Sequence, residues 1–184
     1  MRRNIIWAYP LAVLVVALDQ WTKWLASMQL SFNTPVEILP VFNLTLHYNT
    51  GAAFSLLADA GGWQRLLFSA ISMVVSLFLC SWIWRLNRHE KLMAASLALI
   101  LGGALGNLWD RLLMGHVIDF ISLHYASYYF PTFNVADSAI TVGAGLMILD
   151  MIVNPENHRT HRKATSPSTT SSEKSNRGSQ SESK

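Results

Sequence analysis

Four apolar stretches, each about as long as a hydrocarbon core requires, constrain this chain more than any other feature. A membrane-spanning helix needs about 20 consecutive, mostly apolar residues, and Ile5–Leu25, Trp63–Trp84, Leu92–Leu113 and Val135–Val153 each supply them. Soluble domains carry about a quarter of their residues as charged side chains; here Asp, Glu, Lys and Arg make up 14% of 184 residues, against 51% hydrophobic ones. Water is therefore not the main solvent of the fold. The composition predicts an all-α integral membrane protein with four transmembrane helices.

Lys and Arg collect in cytoplasmic loops of membrane proteins. Arg2 and Arg3 precede the first stretch, Arg85, Arg88 and Lys91 follow the second, and Arg159, Arg162 and Lys163 follow the fourth. The segments Ala26–Gly62 and Met114–Asn134 contain neither residue type. Both termini are thus expected in the cytoplasm, with the two segments that lack Lys and Arg on the translocated face. Indole rings prefer the headgroup level, and the tryptophans fall at the ends of the stretches: Trp7, Trp82 and Trp84 at the cytoplasmic ends, Trp21, Trp24, Trp63 and Trp109 at the outer ends. A cleaved signal peptide is the competing reading of the N-terminus, but no A-x-A-like site follows it.

The single cysteine, Cys80, lies inside the second stretch, which leaves no disulfide or cysteine metal cluster within one chain. The histidines show no H-E-x-x-H pattern. No metal, no other cofactor and no nucleic-acid partner is expected. From about Asn154 the chain changes character, becoming rich in Ser and Thr and, beyond Thr165, poor in anything that could bury a core. Residues 1–153 are therefore read as one membrane domain and 154–184 as a disordered tail, whose basic start at His158–Lys163 suits contact with anionic membrane lipid.

Chemistry is expected on the translocated side. In the first outer segment Val41–Tyr48 alternates apolar and polar residues as an amphipathic strand does. Asn49-Thr50-Gly51-Ala52-Ala53-Phe54-Ser55 follows, where Gly51 permits close approach of backbone to a ligand; a plain turn is the alternative. At the end of the third stretch Asn107 and Arg111 share a helical face, with Gly103 and Gly106 beside it for tight helix packing. Tyr125–Phe133 is an aromatic run that reads as an interfacial belt, or as the wall of a lipid-facing pocket.

Polar residues near membrane depth need partners, because an ionised side chain costs roughly 3 kcal/mol or more near a bilayer centre. Asp19 and Lys23, four residues apart, suit an ion pair that ends the first helix. Asn134 and Asp137, three apart before an apolar run, suit an N-cap with an acidic third helical residue. Capping accounts for Asp137 without catalysis. It does not account for Asp119, set between Val117-Ile118 and Phe120-Ile121. Two close carboxylates that share a proton hold one acid and one base at once and activate water directly, as in aspartic proteases. A proton-coupled transporter is the rival class, but its carboxylates belong near the midplane and its halves repeat; a membrane scaffold would need neither Asp119 nor Arg111.

Five blocks in order carry a resemblance: Asp19-Gln20-Trp21-Thr22-Lys23, Asn49-Thr50-Gly51-Ala52-Ala53-Phe54, Gly103 through Arg111, Val117-Ile118-Asp119-Phe120, and Phe133-Asn134-Val135-Ala136-Asp137-Ser138. Together with the four stretches, over about Ile5–Val153, they resemble the lipoprotein signal peptidases. That resemblance implies an aspartyl endopeptidase of the bacterial inner membrane, acting as a monomer with its site facing the periplasm. It would remove signal peptides from diacylglyceryl-modified prolipoproteins just before the lipidated cysteine, and globomycin would inhibit it. Asp119 and Asp137 match the catalytic pair. Asn49, Gly51, Asn107, Arg111 and Asn134 match residues lining or shaping the substrate site, and Asp19 and Lys23 a supporting motif. A small β-cradle and an interfacial helix above the bundle are implied too.

Overall fold

The structure is a computed structural model that describes residues 5–50 and 63–155. Four long helices, α1 (Ala8–Gln29), α2 (Trp63–Arg85), α3 (Lys91–Leu113) and α4 (Val135–Val153), stand beside a small sheet of β1 (Val36–Leu39), β2 (Phe42–Asn49), β3 (Val117–Tyr125) and β4 (Tyr128–Tyr129). Three of the helices are long and apolar enough to cross a membrane: Arg65–Arg85, Lys91–Leu113 and Val135–Val153. α1 is comparably long, but its second half carries Asp19, Gln20, Thr22 and Lys23, which hold its hydropathy down. It also begins at Ala8 and runs to Gln29, past the expected end at Leu25. Asp19 and Lys23 therefore lie inside the helix and do not terminate it, which corrects the helix-ending reading of that pair.

α3 is the central helix. Two-thirds of its apolar span is buried, against about a fifth for α2 and α4, so α3 is wrapped by protein while its neighbours expose apolar flanks. Ala8, Ala12, Leu79, Ile83, Leu86, Met93, Ala94, Leu97, Ala98 and Leu101 form the core that joins α1, α2 and α3. With no hydrophobic drive between helices in lipid, close backbone approach supplies much of the attraction. Gly103 provides it against α4: a Cβ there would fall 2.3 Å from the Ala136 carbonyl oxygen and 2.7 Å from Ile140. Gly143 does the same from α4, where a Cβ would fall 2.8 Å from the Ser96 carbonyl oxygen on α3.

The fold is thus not purely helical. The sheet is antiparallel in the order β1-β2-β3-β4. The alternating Val41–Tyr48 segment does form a strand, β2, which pairs with β3 in the register His47↔Asp119, Tyr48↔Ile118 and Asn49↔Val117. β3 leaves α3 through Met114 and Gly115, whose φ of +83° is the left-handed conformation that ends helices and favours glycine. Val117 through Phe120 are all buried, so this strand carries no alternating surface pattern. A bridge between Ile121 and Phe133, with Phe133 accepting from Phe120 N at 3.1 Å and Ile121 N at 2.9 Å, brings the chain back beside β3 just before α4 starts.

The aromatic run does more than mark an interface. Tyr125, Tyr128 and Phe130 join Val41, Leu123 and His124 around an apolar cavity of about 340 Å³. No separate interfacial helix occurs among the described residues of the two outer segments. Gly51 and the rest of the block beyond Thr50, and the tail from residue 156 onward, lie outside the described residues.

Replacing Gly103 with Val should force α3 and α4 apart and destabilise the fold by about 1–3 kcal/mol or more, as overpacking does. Gly145→Ala, where no atom lies within 4 Å of the added Cβ, should leave stability within about 0.5 kcal/mol. Thermal unfolding of both variants in detergent checks the contrast; equal losses would remove the close-approach account of Gly103.

Candidate active site

Asn134 starts α4 and links the two aspartates. Its side-chain oxygen accepts from Asp137 N at 2.9 Å, while Asp137 Oδ2 accepts from Asn134 N at 3.3 Å, a reciprocal capping box. That cap uses only one end of the amide. Asn134 Nδ2 donates to Asp119 Oδ1 at 2.7 Å, with longer contacts to the Ile118 carbonyl and Asn107 Oδ1, each 3.2 Å. The capping reading of Asp137 and its convergence with Asp119 are therefore the same geometry.

Each carboxylate has a second amide donor. Asn49, at the end of β2, donates from Nδ2 to Asp119 Oδ2 at 3.0 Å. Asn107, on α3, donates from Nδ2 to Asp137 Oδ1 at 2.7 Å. Asp119 is 2% exposed. Burial pushes its carboxyl up from the usual carboxylate range to about 6; the amides of Asn49 and Asn134 favour the charged form and oppose this, whereas the neighbouring charge of Asp137 adds to it.

Behind these amides lies a buried ionic network. Lys23 Nζ meets Asp19 Oδ2 at 2.8 Å, Asp110 Oδ2 at 2.7 Å and Asn107 Oδ1 at 3.0 Å, which occupies all three ammonium donors. Each acceptor then holds part of the site. Asp19 Oδ1 accepts from Ala136 N at 2.9 Å and so caps α4 a second time, next to Asp137. Asp110 Oδ2 accepts from Ile118 N at 3.3 Å and anchors β3 next to Asp119. Gln20 Nε2 donates to Asp110 Oδ1 at 2.8 Å and to Asp19 Oδ2 at 3.2 Å. Gly106 leaves room for this, since a Cβ there would fall 2.6 Å from Asp19 Oδ2.

Of the sequence candidates, the structure brings together Asp119, Asp137, Asn49, Asn107, Asn134, Asp19 and Lys23. Arg111 stands at the same end of α3 but makes no hydrogen bond to either aspartate: Nη1 donates to the Asn107 carbonyl at 3.3 Å, Nε is buried without a partner among the described residues, and the guanidinium lies 5.7 Å from the Phe68 ring centroid. Asp110 and Gln20 lie in the motif blocks but were not among the site candidates. Asp110 was findable, being a carboxylate inside an apolar stretch, where the rule that flagged Asp119 also applies. Gln20 gave no such signal. Arg65 was also missed; from α2 it donates to the carbonyls of Arg111 and Leu112, each at 2.7 Å, and closes the end of α3. His47 stood out only as a strand residue, yet its ring bridges Asn33 Oδ1 and Thr132 Oγ1, each at 2.9 Å, and ties the two outer segments together.

The family model for signal peptidase (SPase) II matches residues 11–153. The lipoprotein signal peptidase of Coxiella burnetii (strain Dugway 5J108-111) is 54% identical over 145 residues, covering 79% of this chain and 89% of that protein. The lipoprotein signal peptidase of Acinetobacter baylyi is 50% identical over 147 residues, covering 80% and 82%. A solved structure described as a bacterial membrane enzyme, determined by the in meso method at 1.9 Å resolution, superposes with a TM-score of 0.73 at 32% identity, over 84% of this chain and 99% of that one. With a family match across all four helices and relatives of this identity over most of their length, the chain belongs to the signal peptidase II family, the lipoprotein signal peptidases.

Proposed function

We propose that this protein is an aspartyl endopeptidase that cleaves diacylglyceryl-modified prolipoproteins just before the lipidated cysteine, with Asp119 and Asp137 activating water. The observation that carries the reading is Asn134, whose side-chain amide donates to the buried Asp119 carboxylate and whose backbone N donates to the half-buried Asp137 carboxylate, at one end of an apolar helix bundle. Asp137 sits in the first turn of α4, where the helix N-terminus suits a negative charge; it is assigned as the base. Asp119, whose carboxyl is raised to about 6, is assigned as the acid.

In the first step Asp137 takes a proton from water as its oxygen adds to the scissile carbonyl, and Asp119 gives its proton to the carbonyl oxygen. In the second step the tetrahedral centre collapses: its hydroxyl proton returns to Asp119, the C–N bond breaks, and Asp137 protonates the departing amine. The products are a free carboxyl end on the signal peptide and a free α-amino group on the lipidated cysteine. No covalent intermediate forms. Asn49 and Asn134 orient Asp119, Asn107 orients Asp137, and the Nε of Arg111, which has no partner among the described residues, is assigned to a backbone carbonyl of the substrate.

The reading extends to topology. α1 is taken as a fourth crossing, with both termini in the cytoplasm, the protein in the inner membrane and the dyad at the periplasmic face, on the distribution of Lys and Arg. The scissile bond meets a dyad there because acyl chains hold its cysteine at the headgroups. Action as a monomer and inhibition by globomycin belong to the same proposal.

Purified wild-type protein should process a diacylglyceryl-modified prolipoprotein in detergent, while Asp119→Asn and Asp137→Asn should each lose at least about 10³-fold in kcat with folding intact, since each removes one partner of the proton exchange. Retained cleavage in either variant would reduce that aspartate to a structural role.

As acid, Asp119 must be protonated, so kcat/KM should fall as pH rises through about 6, the value for the free enzyme. Asn49→Ala removes a donor that favours the charged form, so the alkaline limb should move to higher pH even as the maximum falls. A limb that moves downward, or activity that rises through this range, would reverse the acid and base assignment.

Lys23→Met leaves Asp19 and Asp110 without their cation and should destabilise the fold by about 3–5 kcal/mol, as breaking a buried ion pair does. Unfolding monitored by helicity in detergent measures the loss; unchanged stability would contradict a supporting role.

A further inference from the structure

At the end of α2 far from the aspartates, Phe78, Ser81, Trp82, Arg85 and Leu86 line a half-open hollow of about 390 Å³. The first four follow the spacing i, i+3, i+4, i+7, which places them in one stripe along the helix. From Phe78 to Arg85 that stripe is about 10 Å long, at 1.5 Å per residue. Phe78 and Trp82 meet edge to face with centroids 5.6 Å apart and form its wall. Buried Leu86 forms its floor, where the stripe meets the α1–α2–α3 core. Phe78 is 60% exposed, so the stripe faces outward from an apolar helix into the surroundings of the bundle.

The charged residue of this lining is a cation, Arg85, the last residue of α2. Arg88 and Lys91 follow in the chain with Glu90 between them, and none of the three cations forms a salt bridge among the described residues. An occupant must therefore be apolar for about 10 Å and anionic at one end. We infer that this stripe binds one anionic phospholipid of the leaflet opposite the aspartates, its acyl chain against Phe78 and Trp82 and its phosphate on the Arg85 guanidinium. The planar guanidinium matches two phosphate oxygens at once. A zwitterionic lipid offers the same phosphate but brings a cation toward Arg88 and Lys91, and so binds less well. A free phosphate gains nothing from the aromatic wall, and an extended peptide at this depth would leave its backbone groups unpaired.

The test is native mass spectrometry of the full-length protein in detergent, titrated with phosphatidylglycerol, with phosphatidylcholine of the same acyl chains, and with glycerol phosphate as the headgroup alone. One phosphatidylglycerol should be retained at lower concentration than phosphatidylcholine, and glycerol phosphate should not be retained. Arg85→Gln should weaken phosphatidylglycerol retention about fivefold, the effect of one cation near an anionic surface, and leave phosphatidylcholine unchanged. Ser81→Phe, which fills the hollow and keeps the charge, should weaken both lipids. Helicity and elution volume control for folding. Equal retention of the two lipids by wild type, unchanged preference in Arg85→Gln, full retention in Ser81→Phe, or retention of glycerol phosphate would each overturn the assignment.

Discussion

A single buried ammonium group organises this protein. Lys23 is 1% exposed, and its three donors are spent on Asp19, Asp110 and Asn107. A charge removed from water is tolerated only when good geometry and additional hydrogen bonds offset its desolvation. Here the acceptors pass the constraint outward. Asp19 fixes the backbone beside Asp137, Asp110 fixes the backbone beside Asp119, and Asn107 reaches Asp137 itself. One cation on α1 thereby sets α3, β3 and the start of α4 in register with one another.

Asn134 completes this arrangement from the other side. As a helix cap it needs only its oxygen, and the freed amide nitrogen binds Asp119. An N-cap and a bond to Asp119 are met by one side chain because the Ile121–Phe133 bridge carries the chain to β3 immediately before the helix begins. The site is therefore assembled from α1, β2, α3, β3 and α4, with no element supplying both aspartates. Buried amides on each carboxylate hold it in place, while burial raises the proton affinity of Asp119. The two ends of the bundle contrast sharply: one holds paired, buried charge, and the other carries Arg85, Arg88 and Lys91 without salt-bridge partners among the described residues beside an apolar hollow.

Much of this was legible in the chain. Apolar length located α2, α3 and α4 to within a residue or so, because solvation by hydrocarbon is a property of composition over a window. Strand alternation located β2. The Asn134/Asp137 spacing revealed the cap, which depends on residues three apart. β3 was not legible, since its first half, Val117–Phe120, is covered on both faces and does not alternate. The length of α1 was misjudged for a related reason: its polar outer half continues as helix because tertiary partners satisfy Asp19, Gln20 and Lys23.

The sequence by itself determined the solvent, the helical stretches, the cap on α4 and which residue types needed partners, because each rests on local composition or spacing. Only the tertiary structure decided who those partners are. The Lys23–Asp110 pair and the Asn134–Asp119 and Asn49–Asp119 bonds join residues 87, 15 and 70 positions apart, and such contacts form only where helix packing and sheet register bring distant chain segments together. The physical reason is that a buried polar group requires satisfaction but does not specify by whom; Gly103, Gly106 and the β2–β3 register supply the closeness that makes the choice.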